Sequence, residues 1–292
     1  WCWQQGSRLR YHPLDKDIIV FNDVDSNHYC TRMINLKNKK ETKICRALYD
    51  FSSDGTWGLS LNFSRLQRKR PGYGYDYLED STIGQNTPED DGIFFVDVIN
   101  NKSELKYSIK ELAAIGGVNS DFECYVNHIS IAPEDNKYIF FLIYTKKGSK
   151  DWKTILFLDD GDLKILESED RVSHYSWINN NLLMVTCHRD DGSEYYCMYN
   201  LVENTKVIIG VNGLDTDGHP SRYLNQYITD TYPLENSQQK MYLFELNSKK
   251  VKIIARLYHD YRMRGEMRCD LHPVVELNGK FVSVDTTYHK RK

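Results

Sequence analysis

Four of the nine histidines, His128, His174, His219 and His272, each open the same kind of segment: a short apolar strand, a polar turn, then a more apolar strand. The segments read HISIAPEDNKYIFFLIY (128–144), HYSWINNNLLMVTCH (174–188), HPSRYLNQYITDTYP (219–233) and HPVVELNGKFVSVDT (272–286). Imidazole takes up a proton near neutrality and, when neutral, ligates Mn, Fe, Zn or Ni. Asp217 and Asp270, two residues before His219 and His272, are natural carboxylate co-ligands. Four equivalent histidines therefore point to a metal or catalytic cluster. The alternative is a ring of purely structural histidines, as in the Gly-His of WD repeats. Gly218-His219 imitates that dipeptide, but no Trp-Asp accompanies any repeat.

Arginines gather around the same segments. Arg262, Arg264 and Arg268 lead into the His272 segment, Arg222 follows His219, and Arg8 opens an earlier copy. Arg65, Arg68 and Arg70 stand close to Tyr73 and Tyr75. Guanidinium forks suit carboxylates and phosphates, so the set favours a small acidic ligand such as a uronic acid.

The elements that must position these groups are repeats. Two further copies, LRYHPLDKDIIVFND (9–23) and ALYDFSSDGTWGLSLNF (47–63), precede the four histidine segments, with Arg8 and Ala47 at the equivalent place. A second hairpin follows the first, as in EYYCMYNLVENTKVIIG (194–210) and KMYLFELNSKKVKIIARL (240–257). Four strands every forty-odd residues are one blade of a β-propeller. The expectation is an all-β, single-domain propeller of four-stranded blades, seven-bladed with terminal sequence missing, or six-bladed. One blade carries a long insertion of loop composition at about 63–91, and helix is expected only near KELAAIGG (110–117).

Composition removes several classes. A net charge of −3 supplies no field for nucleic acid or anionic lipid. No apolar run approaches the roughly 18 residues of a membrane span. Seven cysteines without a C-x-x-C pair disfavour a disulfide framework or thiolate zinc site, so a reducing compartment, the cytoplasm, is expected, with the periplasm as alternative. Walker, G-x-G-x-x-G, G-x-S-x-G and H-E-x-x-H patterns are missing. Asp215, Asp217 and Gly218 faintly resemble a calcium loop, but Gln226 stands where its closing Glu belongs. Glu123, Asp159, Asp160 and the run 167–170 read as surface charge.

At the inner-strand motifs the chain resembles the oligogalacturonate lyase family, bacterial metal-dependent seven-bladed propellers. VNHISIAPEDNKYIFF (126–141) is similar to the segment carrying the proton-abstracting histidine, which implies His128 as base. SHYSW (173–177) is similar to a metal-ligand strand and implies His174; DLHP (270–273) is similar to the family's His-Pro-His-Pro and implies His272. Asp270 replaces the first histidine of that pair, and the family's Gln ligand falls near Met267 or Arg268. Its catalytic arginine meets Gly92 or Ile93, so an arginine such as Arg268 would substitute. The implied metal set is His174, His219, His272 and Asp270, with Mn favoured over Zn, Fe, Ni or Ca. Arg8, Arg70, Arg222, Arg262 and Arg264 would bind the acidic oligosaccharide.

The resemblance implies β-elimination, with His128 removing the proton α to a uronate carboxylate and Tyr73 or water protonating the leaving oxygen. The competing class is a noncatalytic propeller that binds an acidic glycan or a protein. A carboxylate-rich, calcium-dependent hydrolase or lactonase is a third reading, lowered by the histidine content.

Overall fold

The computed structural model describes residues 2–134, 137–149, 151–209, 214–223, 226–246, 250–276 and 280–287. These fall into two compact units, Trp1–Ser168 and Glu169–Lys292.

Unit 1 holds three four-stranded antiparallel sheets, each a meander in chain order. The first is β1 (Arg10–Tyr11), β2 (Ile18–Asp25), β3 (His28–Asn35) and β4 (Glu41–Ile44). The second is β5 (Asp50–Phe51), β6 (Trp57–Ser60), β7 (Gly92–Asp97) and β8 (Lys102–Ser108), with helix α1 (Phe63–Lys69) between β6 and β7. Helix α2 (Ile109–Ile115) follows, closed by a capping box of Ser108 and Glu111. The third sheet is β9 (Phe122–Ile131), β10 (Tyr138–Lys146), β11 (Lys153–Asp159) and β12 (Leu163–Glu167).

Unit 2 holds two such sheets and a hairpin. They comprise β13 (Arg171–Asn179), β14 (Leu182–His188), β15 (Glu194–Asn200) and β16 (Thr205–Ile209), then β17 (Ser221–Tyr223), β18 (Gln226–Asp230), β19 (Gln238–Glu245) and β20 (Lys250–Tyr258). A short 3-10 turn, Gly265–Met267, precedes the hairpin of β21 (Val274–Val275) and β22 (Val282–Ser283).

All six repeat starts thus become the first hairpin of a sheet, and the 110–117 helix is present. The hydrophobic pattern explains the layering. The stretch YIFFLIY (138–144) of β10 is apolar throughout because a strand inside the sheet is covered on both faces, and its first six residues are buried. KVKIIARLY in β20 alternates along its length, as an outer strand with one wet face does.

Two expectations are corrected. The 63–91 insertion is not all loop: Asn62 caps α1 by accepting the N–H of Arg65 at 3.0 Å, and Phe63, Ser64, Arg65 and Leu66 are buried. Arg65 and Arg68 are consumed there. Arg65 donates to the carbonyls of Cys124, Gln85 and Asn86 and to Thr82 Oγ1, while Arg68 pairs with Asp80 and Glu123. The cationic run SRLQRKR hid the helix because its charges bind its own loop. Asp159 and Glu167, read as surface charge, are buried; Asp159 accepts from the hydroxyls of Tyr107 and Tyr138.

Candidate functional site

In unit 2 the hairpin register brings the histidines and their partners together. Ser221 pairs with Ile228, so continuing the ladder sets His219 opposite Asp230. Asp230 Oδ1 accepts the backbone N–H of His219 at 2.7 Å and lies 2.9 Å from its ring Nδ1. This approach requires a glycine next door, because a Cβ on Gly218 would stand 2.2 Å from the Asp230 carbonyl oxygen. Asp230 Oδ2 accepts the N–H of His272 at 3.1 Å. His174 sits where the β13–β14 register slips, its N–H donating to Thr186 Oγ1 at 2.9 Å.

The three imidazoles stand in a row. His174 and His219 have ring centroids 4.1 Å apart, as do His219 and His272. Outside them lies a chain of carboxylates. Asp217 Oδ1 is 3.0 Å from His174 Nδ1 and Asp217 Oδ2 is 3.1 Å from His188 Nε2, while Glu194 lies 3.1 Å from His188 Nδ1. Carboxylates behind imidazoles fix ring orientation and tautomer, the arrangement that supports metal-ligating histidines. For His219, with Nδ1 on Asp230, the other nitrogen, Nε2, is the one left to ligate.

Electrostatics suit this assignment. Burial and the neighbouring His219 push the His272 pKa down, so its ring is neutral at pH 7. Burial opposes ionisation of Asp230, but His219 beside it holds the carboxyl below its usual range. Burial likewise opposes the charge of Asp217, and His174 and His188 hold it far lower. Burial alone would lower the His188 pKa, yet Asp217 and Glu194 carry it up to about 9.

His219, Asp270 and His272 each offer a ligand atom within 4.8 Å of the others. Asp270 is 4 % exposed; Arg268 grips its Oδ2 through Nη2 at 2.8 Å, while its Oδ1 is buried without a hydrogen bond. An unpaired buried carboxylate oxygen is costly, and a cation would satisfy it. Two imidazoles and a carboxylate fit Mn, Fe or Zn by donor type. Of the four residues in the expected set, three form this group; His174 lies beside it, its ring tilted 58° to that of His219.

The guanidinium of Arg268 lies 4.7 Å from the centroid of Tyr232, whose ring is 5.8 Å from that of His219. A cavity of about 340 Å³ opens there, lined by Tyr232, Glu235, Tyr261, Met263, Arg264 and Arg268. Two of the expected unit 2 arginines are engaged elsewhere. Arg222 donates to the Ile178 carbonyl at 2.8 Å, and Arg262 forms a fork with Asp260.

Unit 1 gathers the remaining candidates into an arginine–aromatic cluster. Arg70 lies over the rings of Tyr73 (4.4 Å) and Trp152 (5.1 Å), and Tyr73 meets His128 edge-on at 5.9 Å. His128 sits at a bulge in the β9–β10 ladder with φ of 52°. Arg8 lies 4.0 Å over Tyr49 and also has positive φ, 54°. With His272 at 41°, three of the six repeat-start residues adopt the left-handed conformation, a strain of about 1 kcal/mol or more each that recurs at functional positions. Beside His128, Asn127 is fully buried; Oδ1 accepts from the Tyr49 hydroxyl, but Nδ2 has no partner.

Sequence reading missed Asp230, Tyr232, His188 and Glu194. Hairpin register could have found Asp230 and the His188–Glu194 pair; Tyr232 joins the site through packing.

Comparison with solved structures decides the fold. The chain superposes on the tricorn protease with a TM-score of 0.60 at 8 % identity, covering 94 % of this chain and 28 % of that one. It superposes on the GH74 xyloglucanase from Xanthomonas campestris with 0.55 at 9 %, covering 99 % and 44 %. The fold is a β-propeller. The chain spans between about a quarter and a half of the length of these two proteins. A manganese complex of oligogalacturonate lyase also matches, with a TM-score of 0.42 at 11 % identity over 97 % of this chain and 86 % of that one. No protein-family model and no curated protein matches the chain.

Proposed function

We propose that this propeller is a metal-dependent lyase that cleaves uronic-acid-containing glycans by β-elimination. The observation that carries the reading is the His219–Asp270–His272 group, with its buried Asp270 Oδ1 lacking any hydrogen bond. The motif resemblance at His128, His174 and 270–273 supplies the reaction type.

A bound divalent ion would supply positive charge against a uronate carboxylate, whose own charge otherwise resists loss of the α proton. His219, Asp270 and His272 would hold it, and Arg268 orients Asp270. The cavity beside them offers Arg264 and Arg268 to carboxylates and Tyr232 and Tyr261 to sugar faces. The base is assigned to His128 by the motif resemblance alone. In the elimination a base accepts the α proton, the C–H electron pair becomes the new C=C bond, and the glycosidic C–O bond breaks. Tyr73 or water returns a proton to the leaving oxygen, with acidic oligosaccharides as substrates.

The test is metal analysis of protein purified without chelator, beside the His219→Ala/His272→Ala variant, followed by assay of uronate oligosaccharides for unsaturated products. About one Mn, Fe or Zn per chain, lost in the variant, together with ultraviolet-absorbing product, supports the reading. A folded protein that takes up no metal after incubation with Mn and Zn overturns it in favour of a noncatalytic glycan-binding propeller.

A further inference from the structure

A second cleft lies wholly within unit 1, and none of the site residues assigned above lines it. Its volume is about 480 Å³, within the roughly 300–1,000 Å³ range of small-molecule sites. The N-terminal end of α1 forms one wall, with Asn62 and Ser64; Arg46, Asp91 and Phe94 form the others.

Arg46 is the unusual member. It is half-buried, and its guanidinium carbon lies over the Phe94 ring, 3.4 Å from the centroid. Among the described residues it makes no hydrogen bond, and no carboxylate oxygen stands within 4.0 Å of it. A stacked guanidinium keeps its N–H donors free along the ring edge, where a planar carboxylate meets them in a fork. Taking such a cation partly out of water without a partner is costly unless a ligand supplies one.

The rest of the cleft specifies what that ligand carries. Asp91 is 3 % exposed; its Oδ2 takes one hydrogen bond from Asn62 Nδ2 at 2.9 Å. Asp91 and Arg46 both line the cleft, yet they form no ion pair within 4.0 Å. Ser64 is buried, and its hydroxyl has no partner among the described residues. Glu79 and Asp90 stand exposed on the rim. A phosphate dianion would face three carboxylates and offer Asp91 no donor. A molecule with one carboxylate and adjacent hydroxyls satisfies all these groups.

We infer that this cleft binds a small polyhydroxy acid, its carboxylate in the fork of Arg46 and its hydroxyls toward Asp91 and Ser64. Choosing a sugar acid among such compounds rests on the function proposed above; the cleft chemistry does not.

The experiment is calorimetric titration of the intact protein with D-galacturonate and with D-galactose. It compares wild type, Arg46→Gln, Arg46→Lys and the His219→Ala/His272→Ala variant, each shown by thermal melting to be folded. Expected is saturable D-galacturonate binding in wild type and in the histidine variant with equal affinity. Arg46→Gln should weaken it at least tenfold and Arg46→Lys by less, with no D-galactose binding. The inference is overturned by absence of saturable binding, by unchanged affinity in both Arg46 variants, or by equal binding of D-galactose. Loss in the histidine variant would place the acid at the metal centre and also overturn it. Failure of lyase activity with Arg46-dependent binding intact would remove only the earlier reading.

Discussion

Asp230 holds His219 twice, through the backbone N–H at 2.7 Å and the ring Nδ1 at 2.9 Å. The same carboxylate accepts the N–H of His272 at 3.1 Å, so one side chain sets two of the three candidate ligands. Asp230→Asn preserves the shape but offers a weaker acceptor and lets the His219 tautomer reverse. Manganese affinity of the metal-free protein should fall about 10- to 100-fold, read by calorimetry, with the folded state retained. An unchanged affinity would deny Asp230 this positioning role.

His188 makes stability depend on pH in the alkaline direction. Burial disfavours its charge, but Asp217 and Glu194 face its two nitrogens and raise its pKa to about 9, above the ordinary value of 6.5. The folded state therefore binds the proton more tightly. The stabilisation is complete below about 6.5 and is lost as pH rises toward 9, on the order of 3 kcal/mol at most. Urea denaturation at pH 6 and pH 9.5 should show this decline in wild type and a much smaller one in His188→Gln.

Asp91 shows the opposite chemistry with the same sign. Burial pushes its pKa up to about 6, against hydrogen bonding from Asn62. Between about 4 and 6 the folded state retains a proton that the unfolded chain releases, so stability falls as pH climbs through that window. Asp91→Asn keeps an acceptor for Asn62 and removes the buried charge. It should raise the melting temperature at pH 7.5 and change it little at pH 4.

Arg65 is 1 % exposed and donates to four backbone carbonyls and a threonine hydroxyl. Arg65→Met leaves those acceptors buried without donors, at a cost of roughly 3 kcal/mol or more. Denaturant midpoints would register it, and metal content should remain that of wild type.

His128→Ala should abolish formation of unsaturated product while leaving metal content and melting temperature near wild type. Its ring meets Tyr73 edge-on at 5.9 Å and lies tilted 5.0 Å from Phe141. Full activity in this variant would remove His128 from the role of base.

How much of this was written in the chain differs by scale. The β-meander sheets were legible, because apolar strands separated by polar turns recur at a period the backbone can satisfy only as stacked four-stranded units. The repeat-start positions of His128, His174, His219 and His272 were legible for the same reason: equivalent places in a repeat occupy equivalent places in a sheet. Helix α1 was not, since seven residues carrying three charges look like loop until Arg65 is seen holding the carbonyls around it. Nor could sequence show that Arg222 bonds a backbone carbonyl while Arg268, of the same residue type, grips Asp270. His188 and Glu194 face each other across the β14–β15 hairpin, but Asp217 reaches His174 and His188 only when the chain beyond β16 packs against that sheet. Residue type and period determined what elements form and which imidazoles share a place in them. Tertiary packing decided which carboxylate faces which imidazole, because that depends on side-chain distances of about 3 Å that no spacing along the chain specifies.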